Sequence, residues 1–189
     1  CAGILTQFLY VGMQTALWSF TIRLAMDMDP ILNERSATSY LIAGFVAFFI
    51  GKFIANFLMT RMNEDLVLVG YAILGMLTIV YVSTVPNVTA VYAAVVASAL
   101  LGPCWATIFA RNLDLIEDKR FTETGGAIIV MSIIGGAVIP AVQGLVSDLL
   151  GSMQLSFLVN FFCFGAVLLF FGHLYRRGQA AHRAAAEVR

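Results

Sequence analysis

Six long apolar segments follow one another along the chain, and most charged residues lie in the short stretches between them. The segments span residues 4–22, 36–60, 66–86, 88–110, 124–147 and 152–175. Each is long enough for a helix that crosses a hydrocarbon core of about 30 Å. Transmembrane strands would need segments of about ten residues with alternating polarity, and these segments do not alternate. The pattern predicts an all-α membrane protein with a six-helix bundle over residues 1–175.

Composition supports a protein whose partner is the lipid bilayer. The chain is 60% hydrophobic and 12% charged, whereas a soluble domain is about 45–50% apolar and about 25% charged. The three cysteines are isolated and form no CxxC pair, so they read as small buried residues rather than a disulfide framework or a metal site. No basic patch with interleaved aromatic residues indicates a nucleic-acid partner.

The start of the chain lacks the features of a targeting segment. Position 1 is cysteine, and the apolar run begins by Ile4 without a positively charged region before it. It is therefore a poor signal peptide. A mature lipoprotein cysteine is an alternative interpretation, but we expect instead a chain cut from a longer protein.

The basic residues predict the orientation in the membrane. With six spans, nine of the 11 basic residues fall on one side and two on the other. The side with nine carries Lys52, Arg61, Arg111, Lys119, Arg120, Arg176, Arg177, Arg183 and Arg189; the other carries Arg23 and Arg35. Because cytoplasmic loops are enriched in Lys and Arg, we expect both ends, including the basic tail over 176–189, to be cytoplasmic. The sorting also supports the number of spans.

The first apolar segment carries a polar stripe without any charge. The residues that share an arc of about 80° on a helix of 100° per residue are Gln7, Tyr10, Gln14 and Trp18. An amide without partners costs several kcal/mol in hydrocarbon, so the stripe must face protein or water. Two interpretations remain open from the residues alone. The amides either bond neighbouring helices together, or line a cavity for a ligand such as a sugar, whose hydroxyls and apolar faces suit amides and aromatic rings.

The fifth segment has a second face of small and polar residues. An arc of about 100° holds Gly125, Ser132, Gly135, Gly136 and Gln143. Glycine permits close approach between helices, and packing is the simpler interpretation. The paired glycines together with Pro140 also allow the helix to bend as a gate, and both interpretations can hold together.

In the fourth segment, Pro103 and Trp105 lie inside the span. Proline removes a backbone donor, which a membrane tolerates where a neighbour or a cavity satisfies the freed carbonyl. Trp105 is too far from the segment ends to be an obvious interfacial residue, so we expect it to face a cavity.

The chain offers little for catalysis or proton relay. Apart from Lys52, which can extend toward the cytoplasm, no charged residue lies in the middle of a span. Neither His173 nor His182 is placed for a relay, and embedded carboxylates, the usual relays, do not occur. No Ser/His/Asp arrangement, HExxH or glycine-rich phosphate loop is present. The sequence therefore disfavours an enzyme.

Four stretches carry a family resemblance: QFLYVGMQTALWSFTIR (7–23), FFIGKFIANFLMTR (48–61), TIFARNL (107–113) and GGAIIVMSIIGGAVIPAVQGLVSD (125–148). They resemble, in order, the C-terminal half of the major facilitator superfamily, and within it the branch of fucose/galactose/glucose–proton symporters. The first and last stretches are fairly specific to this branch, and the second is a weak form of the superfamily's loop motif.

The resemblance implies a transporter of twelve helices, of which this chain supplies the C-terminal six. The two bundles would rock about a central site for a neutral monosaccharide, in alternating access driven by a proton gradient. The missing N-terminal six-helix bundle would be the partner, and the proton-coupling acidic residues would lie there. No cofactor other than the coupling proton is implied, and the membrane would be a bacterial inner membrane.

The resemblance also implies roles for particular residues. The substrate-binding wall would hold Gln7, Tyr10, Gln14, Trp18 and Trp105, while Lys52 and Arg61 would hold the cytoplasmic side through interbundle or loop contacts. Family members carry Pro-Thr-Ile-Phe after an aromatic residue, but here the run is Ala-Thr-Ile-Phe (106–109), with proline displaced to Pro103. This departure leaves the sugar open. The alternative from a different class is a six-helix structural or assembly subunit without transport activity, whose polar stripes only hold helices together.

Overall fold

The computed structural model describes the backbone of residues 2–114 and 122–187, and the side chains of residues 2–114 and 122–180. The helices within these ranges are α1 (Ala2–Met28), α2 (Glu34–Met59), α3 (Glu64–Thr84), α4 (Thr89–Leu101), α5 (Cys104–Asp114), α6 (Thr122–Met131), α7 (Gly135–Leu150), α8 (Met153–Ser156) and α9 (Leu158–Glu187). A 3₁₀ turn at Ser132–Ile134 joins α6 to α7. Three predicted segments are thus each built from two consecutive helices, and the predicted all-helical, six-segment architecture is confirmed.

Five helical stretches of the described residues are long and apolar enough to cross a membrane. They are Glu34–Met59, Glu64–Thr84, Thr89–Asp114, Thr122–Leu150 and Met153–Ala180. The first segment, α1, has 27 residues, which is also sufficient for a crossing. Its glutamines lower its mean hydropathy, because a primary amide is costly to transfer into hydrocarbon.

This polar helix is also the one that contacts most of the bundle. α1 packs against α7 and α9 on one hand and against α2, α4 and α5 on the other, while α3 pairs with α9 and α2 with α4. Its inward face buries Met13, Leu17 and Leu24 completely. The segment that is least suited to lipid therefore lies where protein covers most of it.

Close backbone approach holds α2 against α4. A Cβ atom added to Gly51 would lie 1.9 Å from the Ala99 carbonyl oxygen, and one added to Gly102 would lie 2.5 Å from the Lys52 amide nitrogen. In lipid, helices gain little hydrophobic free energy by associating, so their association depends on packing of this kind. The two glycines fix how closely α2 and α4 approach.

Local sequence signals set several helix ends. The Asn33 side chain accepts a hydrogen bond from the Ser36 amide at the start of α2, and Asn63 does the same for the Asp65 amide at the start of α3. α7 ends at Leu150, and the next residue, Gly151, caps it with a φ of 61°, in the left-handed region that favours glycine. Caps of this kind satisfy backbone groups that the helix itself leaves free.

We expect Gly51→Ala to lower the melting temperature of the full-length protein in detergent. The added methyl group would overlap the Ala99 carbonyl, and overpacking of this kind costs about 1–3 kcal/mol. Gly70→Ala is the matched control, because the same methyl group meets no atom within 4 Å there and alanine favours the helix by about 1 kcal/mol. Thermal unfolding followed by fluorescence measures both, and equal melting temperatures would contradict the close α2–α4 contact.

Candidate functional site

The first two residues of the polar stripe lie inside the bundle. Gln7 is only 1% exposed, and its Oε1 atom has no hydrogen-bond partner among the described residues. Tyr10 is completely buried, and its hydroxyl donates to the Leu101 carbonyl oxygen at 2.7 Å. Among the described residues, the Gln7 oxygen is therefore an acceptor without a partner, whereas the Tyr10 hydroxyl is already hydrogen-bonded.

The Tyr10 hydrogen bond occurs at the interruption that Pro103 introduces. α4 ends at Leu101 and α5 begins at Cys104, so the Leu101 carbonyl is among those that α4 leaves without an intrahelical partner. Proline has no N–H to offer the Ala99 carbonyl, and the Gly102 amide takes that acceptor at 3.2 Å. Tyr10 thus ties α1 to the break between α4 and α5, a structural contact that its predicted role in substrate binding did not include.

The other two residues of the stripe are partly exposed. Gln14 and Trp18 are half-buried on α1. The Trp18 ring packs edge to face on Phe45 and Phe48 of α2, with centroid distances of 4.7 and 5.3 Å. Its indole Nε1 is buried without a hydrogen-bond partner among the described residues. The stripe therefore presents a donor at Trp18 as well as an acceptor at Gln7.

Trp105 occupies a different position. It lies near the start of α5, is 38% exposed, and stacks on Phe109 at 5.6 Å with an interplanar angle of 6°. The stacked pair of α5 is distinct from the aromatic cluster around Trp18. The structure brings Tyr10 to the α4–α5 break, but it does not pair the two predicted tryptophans with each other.

The glycines of the fifth segment are packed against α1. A Cβ atom on Gly135 would lie 2.1 Å from the Phe8 carbonyl oxygen, and one on Gly12 would lie 2.6 Å from the Gly135 carbonyl oxygen. Gly136 has more room, since a Cβ atom there would meet Thr15 at 3.4 Å. These distances support the packing interpretation for the crossing of α1 and α7.

Pro140 lies inside α7 and leaves the Gly136 carbonyl without its helical donor. The Thr15 hydroxyl lies 3.1 Å from that oxygen. The same hydroxyl also lies 3.0 Å from the carbonyl oxygens of Val11 and of Gly12 in α1, so its one proton is shared among three acceptors. Ser132, in the 3₁₀ turn, is buried and bonds to the Ile129 carbonyl. Four of the predicted gating or packing residues thus lie where the fifth segment crosses α1, namely Ser132, Gly135, Gly136 and Pro140. Pro103 lies elsewhere, at the break between α4 and α5.

Gln143 is completely buried. Sequence reasoning identified this residue but not the polar side chains that it contacts. Its amide contacts Ser156 and Asn160, which begin the last segment. Nearby, Gln154 donates to the Val82 carbonyl at 2.7 Å and also to that of Val85. Gln7 and Gln14 were identified because each is an amide within an apolar segment. Asn160 is also an amide within an apolar segment, but sequence reasoning missed it.

On the side with most basic residues, the observed ion pairs involve Arg111. Its Nε lies 3.2 Å from Asp65 Oδ1, and a second nitrogen lies 3.6 Å from Glu64 Oε2. These contacts join α5 to the start of α3, and sequence reasoning missed them because Arg111 is 46 positions from Asp65 in the chain.

Unlike Arg111, the two basic residues predicted to hold the cytoplasmic side, Lys52 and Arg61, form no ion pair among the described residues. Lys52 is exposed and lines a groove of about 330 Å³ between α2 and α5, together with Asn56 and Thr107. The Arg61 guanidinium lies over the Phe57 ring at 5.5 Å. Neither pairs with a carboxylate among the described residues, and their role in interbundle contacts stays a prediction.

The known proteins that this chain resembles in sequence include sugar transporters. No protein-family model matches the chain. It is 34% identical to the L-fucose-proton symporter of Escherichia coli (strain K12) over 169 residues, which cover 89% of this chain and 38% of that protein. It is 24% identical to the glucose/galactose transporter of Brucella abortus biovar 1 over 171 residues, which cover 90% of this chain and 40% of that protein.

A solved structure matches as well. The crystal structure of a major facilitator superfamily transporter, FucP, in the outward conformation superimposes with a TM-score of 0.86 at 33% identity. The match covers 91% of this chain and 41% of that one. The chain thus spans about two fifths of the length of the proteins it matches.

We expect Tyr10→Phe to lower the melting temperature of the full-length protein. The change leaves the Leu101 carbonyl unsatisfied in the bundle, at a cost of about 1–3 kcal/mol. Tyr81→Phe is the control, because Tyr81 is exposed and makes only a 3.3 Å contact with Thr89. An unchanged melting temperature together with weaker sugar binding would instead assign the Tyr10 hydroxyl to the substrate.

Proposed function

We propose that this chain forms one half of a proton symporter for a neutral monosaccharide. It is homologous to the C-terminal half of fucose and glucose/galactose transporters of the major facilitator superfamily. The remaining three fifths or so of the length of its relatives would include a second six-helix bundle. The substrate would bind between the two bundles and be exposed to each side of the membrane in turn.

The observation that carries this proposal is the uncharged polar stripe of α1. It holds two buried atoms that lack partners among the described residues and are separated by about 16 Å along the helix at 1.5 Å per residue. Gln7 Oε1 is an acceptor and Trp18 Nε1 is a donor, and neither has a partner among the described residues. A sugar hydroxyl both donates and accepts, so one class of ligand can serve both atoms. The half-buried Gln14 adds a further amide, and the absence of charge from residues 7–20 suits a neutral ligand.

The polar groups of this half also support the placement of proton coupling in the other half. Asp65 is the buried carboxylate of the described residues, and it is paired with Arg111 near the ends of α3 and α5. Proton relays in transporters are usually carboxylates within the membrane. The coupling carboxylates would therefore belong to the second bundle.

The charge distribution supports the orientation. Nine basic residues on one side and two on the other would put both ends of this chain in the cytoplasm, in the inner membrane of a bacterium. Lys52 would then lie on the cytoplasmic half of α2 and Arg61 just past the end of that helix, and the groove beside Lys52 would receive the second bundle.

Uptake by the full-length protein in proteoliposomes tests the activity. We expect an inward proton gradient to drive accumulation of at least one sugar from a panel of L-fucose, D-glucose and D-galactose, and a protonophore to abolish the accumulation. Failure of a correctly folded protein to take up any neutral monosaccharide would overturn the proposal in favour of a structural or assembly subunit. Uptake that ignores the gradient would overturn the symport mechanism.

Amide substitutions test the site. We expect Gln14→Ala to raise the KM for the transported sugar about tenfold, as the loss of one hydrogen bond implies, with little change in melting temperature. Gln7→Ala should raise the KM in the same way but also lower the melting temperature, because Gln7 is only 1% exposed and its truncation leaves a cavity. Gln154→Ala is the matched control: it loses bonds to the Val82 and Val85 carbonyls, so the melting temperature should fall while KM is kept. Unchanged uptake and affinity in Gln14→Ala would exclude Gln14 from the site.

A further inference from the structure

A cavity of about 370 Å³ lies between the ends of four helices, on the side that carries most of the basic residues. Its wall is formed by α1, α5, α6 and α9. The Asn112 side chain of α5 donates to the Gly3 carbonyl oxygen of α1 at 3.0 Å and so joins two parts of the wall. A third part, α6, buries one residue, Ile129. This helix therefore packs loosely on the bundle and leaves space beneath it.

The polarity of this cavity changes along α9. The residues of α9 that line it are Phe170, His173, Leu174 and Arg177, and their spacing places them on one face of the helix. Arg177, the last of them, forms no ion pair among the described residues. The described residues that line the cavity include no carboxylate. We call this space the basic cavity, because Arg177 brings a positive charge that no described residue balances.

A second cavity, of about 520 Å³, adjoins the basic cavity, because Ile4 and Ile128 line both. It runs along α1 and α6 away from Arg177. Its further lining residues include Leu5, Phe8, Met131 and Ile134. Ser132 also lines it, but the hydroxyl of this residue is bonded to the Ile129 carbonyl oxygen. We call this second cavity the apolar groove. The two cavities together form a path that is basic at one end and apolar along the rest.

The combination of a basic end and an apolar path limits the class of ligand. A small soluble anion such as phosphate could pair with Arg177, but the apolar walls would not compensate for its lost hydration. A neutral lipid would fill the apolar groove and leave the arginine without a partner. An anionic phospholipid matches both parts, since a guanidinium binds a phosphate through parallel N–H groups and an acyl chain needs only apolar walls. Basic pockets between transmembrane helices on the cytoplasmic side bind lipid head groups of this kind.

We propose that the basic cavity and the apolar groove together bind one anionic phospholipid. Its phosphate lies at Arg177, where His173, one helical turn earlier, offers an imidazole N–H, and one acyl chain follows α1 and α6. The position suits a lipid, because the apolar stretch Met153–Ala180 is long enough to cross the membrane and its basic end would meet the head-group layer. The site is separate from the proposed sugar site and shares neither Gln14 nor Trp18 with it.

Native mass spectrometry of the full-length protein tests the proposal with phosphatidylglycerol and phosphatidylcholine of identical acyl chains. We expect phosphatidylglycerol to bind several-fold more tightly, because no cationic group cancels its negative charge. Arg177→Gln should weaken this binding about tenfold, the effect of one hydrogen bond between charged groups. Arg176→Gln is the matched control, since Arg176 is exposed, carries the same charge and does not line the cavity. There the binding should change less than about twofold, as expected for an exposed charge.

A second pair of variants tests the path of the acyl chain. Leu5→Gln places an amide in the apolar groove and should weaken phosphatidylglycerol binding several-fold, whereas Leu169→Gln, at an exposed position outside both cavities, should not. Equal losses in Arg177→Gln and Arg176→Gln would overturn the proposal, because they would show only a general attraction to the basic tail. Full binding by folded Leu5→Gln would also overturn it, as expected if the second bundle covers the groove or if the ligand is a soluble anion. The comparison of the two arginine variants is sufficient even if Leu5→Gln fails to fold.

Discussion

Hydrocarbon offers no hydrogen bonds, so each polar group within the membrane must find its partner inside the protein. Two of the four prolines, Pro103 and Pro140, make this constraint visible. Pro103 separates α4 from α5, and Pro140 leaves a carbonyl of α7 without its helical donor. In both places a hydroxyl of α1 reaches an affected carbonyl, from Tyr10 to Leu101 and from Thr15 to Gly136. The irregular helices are tolerated because α1 lies between them.

The same constraint separates the polar residues of the interior into two kinds. Tyr10, Thr15 and Gln154 donate hydrogen bonds to backbone carbonyl oxygens of other helices and so hold the helices in place. Gln7, Trp18 and Asn160 each keep one buried atom without a partner among the described residues. Since such an atom costs about 1–3 kcal/mol, unpartnered atoms are better indicators of a ligand than polarity alone. Two of the three lie on the stripe of α1, which is the wall proposed for the sugar.

Much of the architecture follows from local properties of the sequence. Six apolar segments, short connections and the stripe of amides at helical spacing are visible because they depend on residues that are near one another in the chain. The role of Tyr10 could not be predicted, because its partner is 91 positions away and periodicity shows only which face a residue occupies. The Arg111–Asp65 pair and the contact of Gln143 with Asn160 depend in the same way on how helices pack. Gly51 and Gly135 were visible as small residues, but only the packed structure shows which carbonyl oxygen each one admits.

The chemistry of α1 suits a surface that must be stable in two environments. In the proposed transporter, this helix would face water and sugar in one state and the second bundle in another. A charged group would pay a large desolvation cost on each closure, whereas an amide or an indole N–H exchanges one hydrogen-bond partner for another at much smaller cost. A helix with Gln7, Gln14 and Trp18 and no charge from residues 7–20 would therefore keep the two states of the proposed transporter close in free energy. Coupling to the proton would then rely on ionisable groups elsewhere, and their proposed placement in the other bundle would leave this half free to bind a neutral ligand.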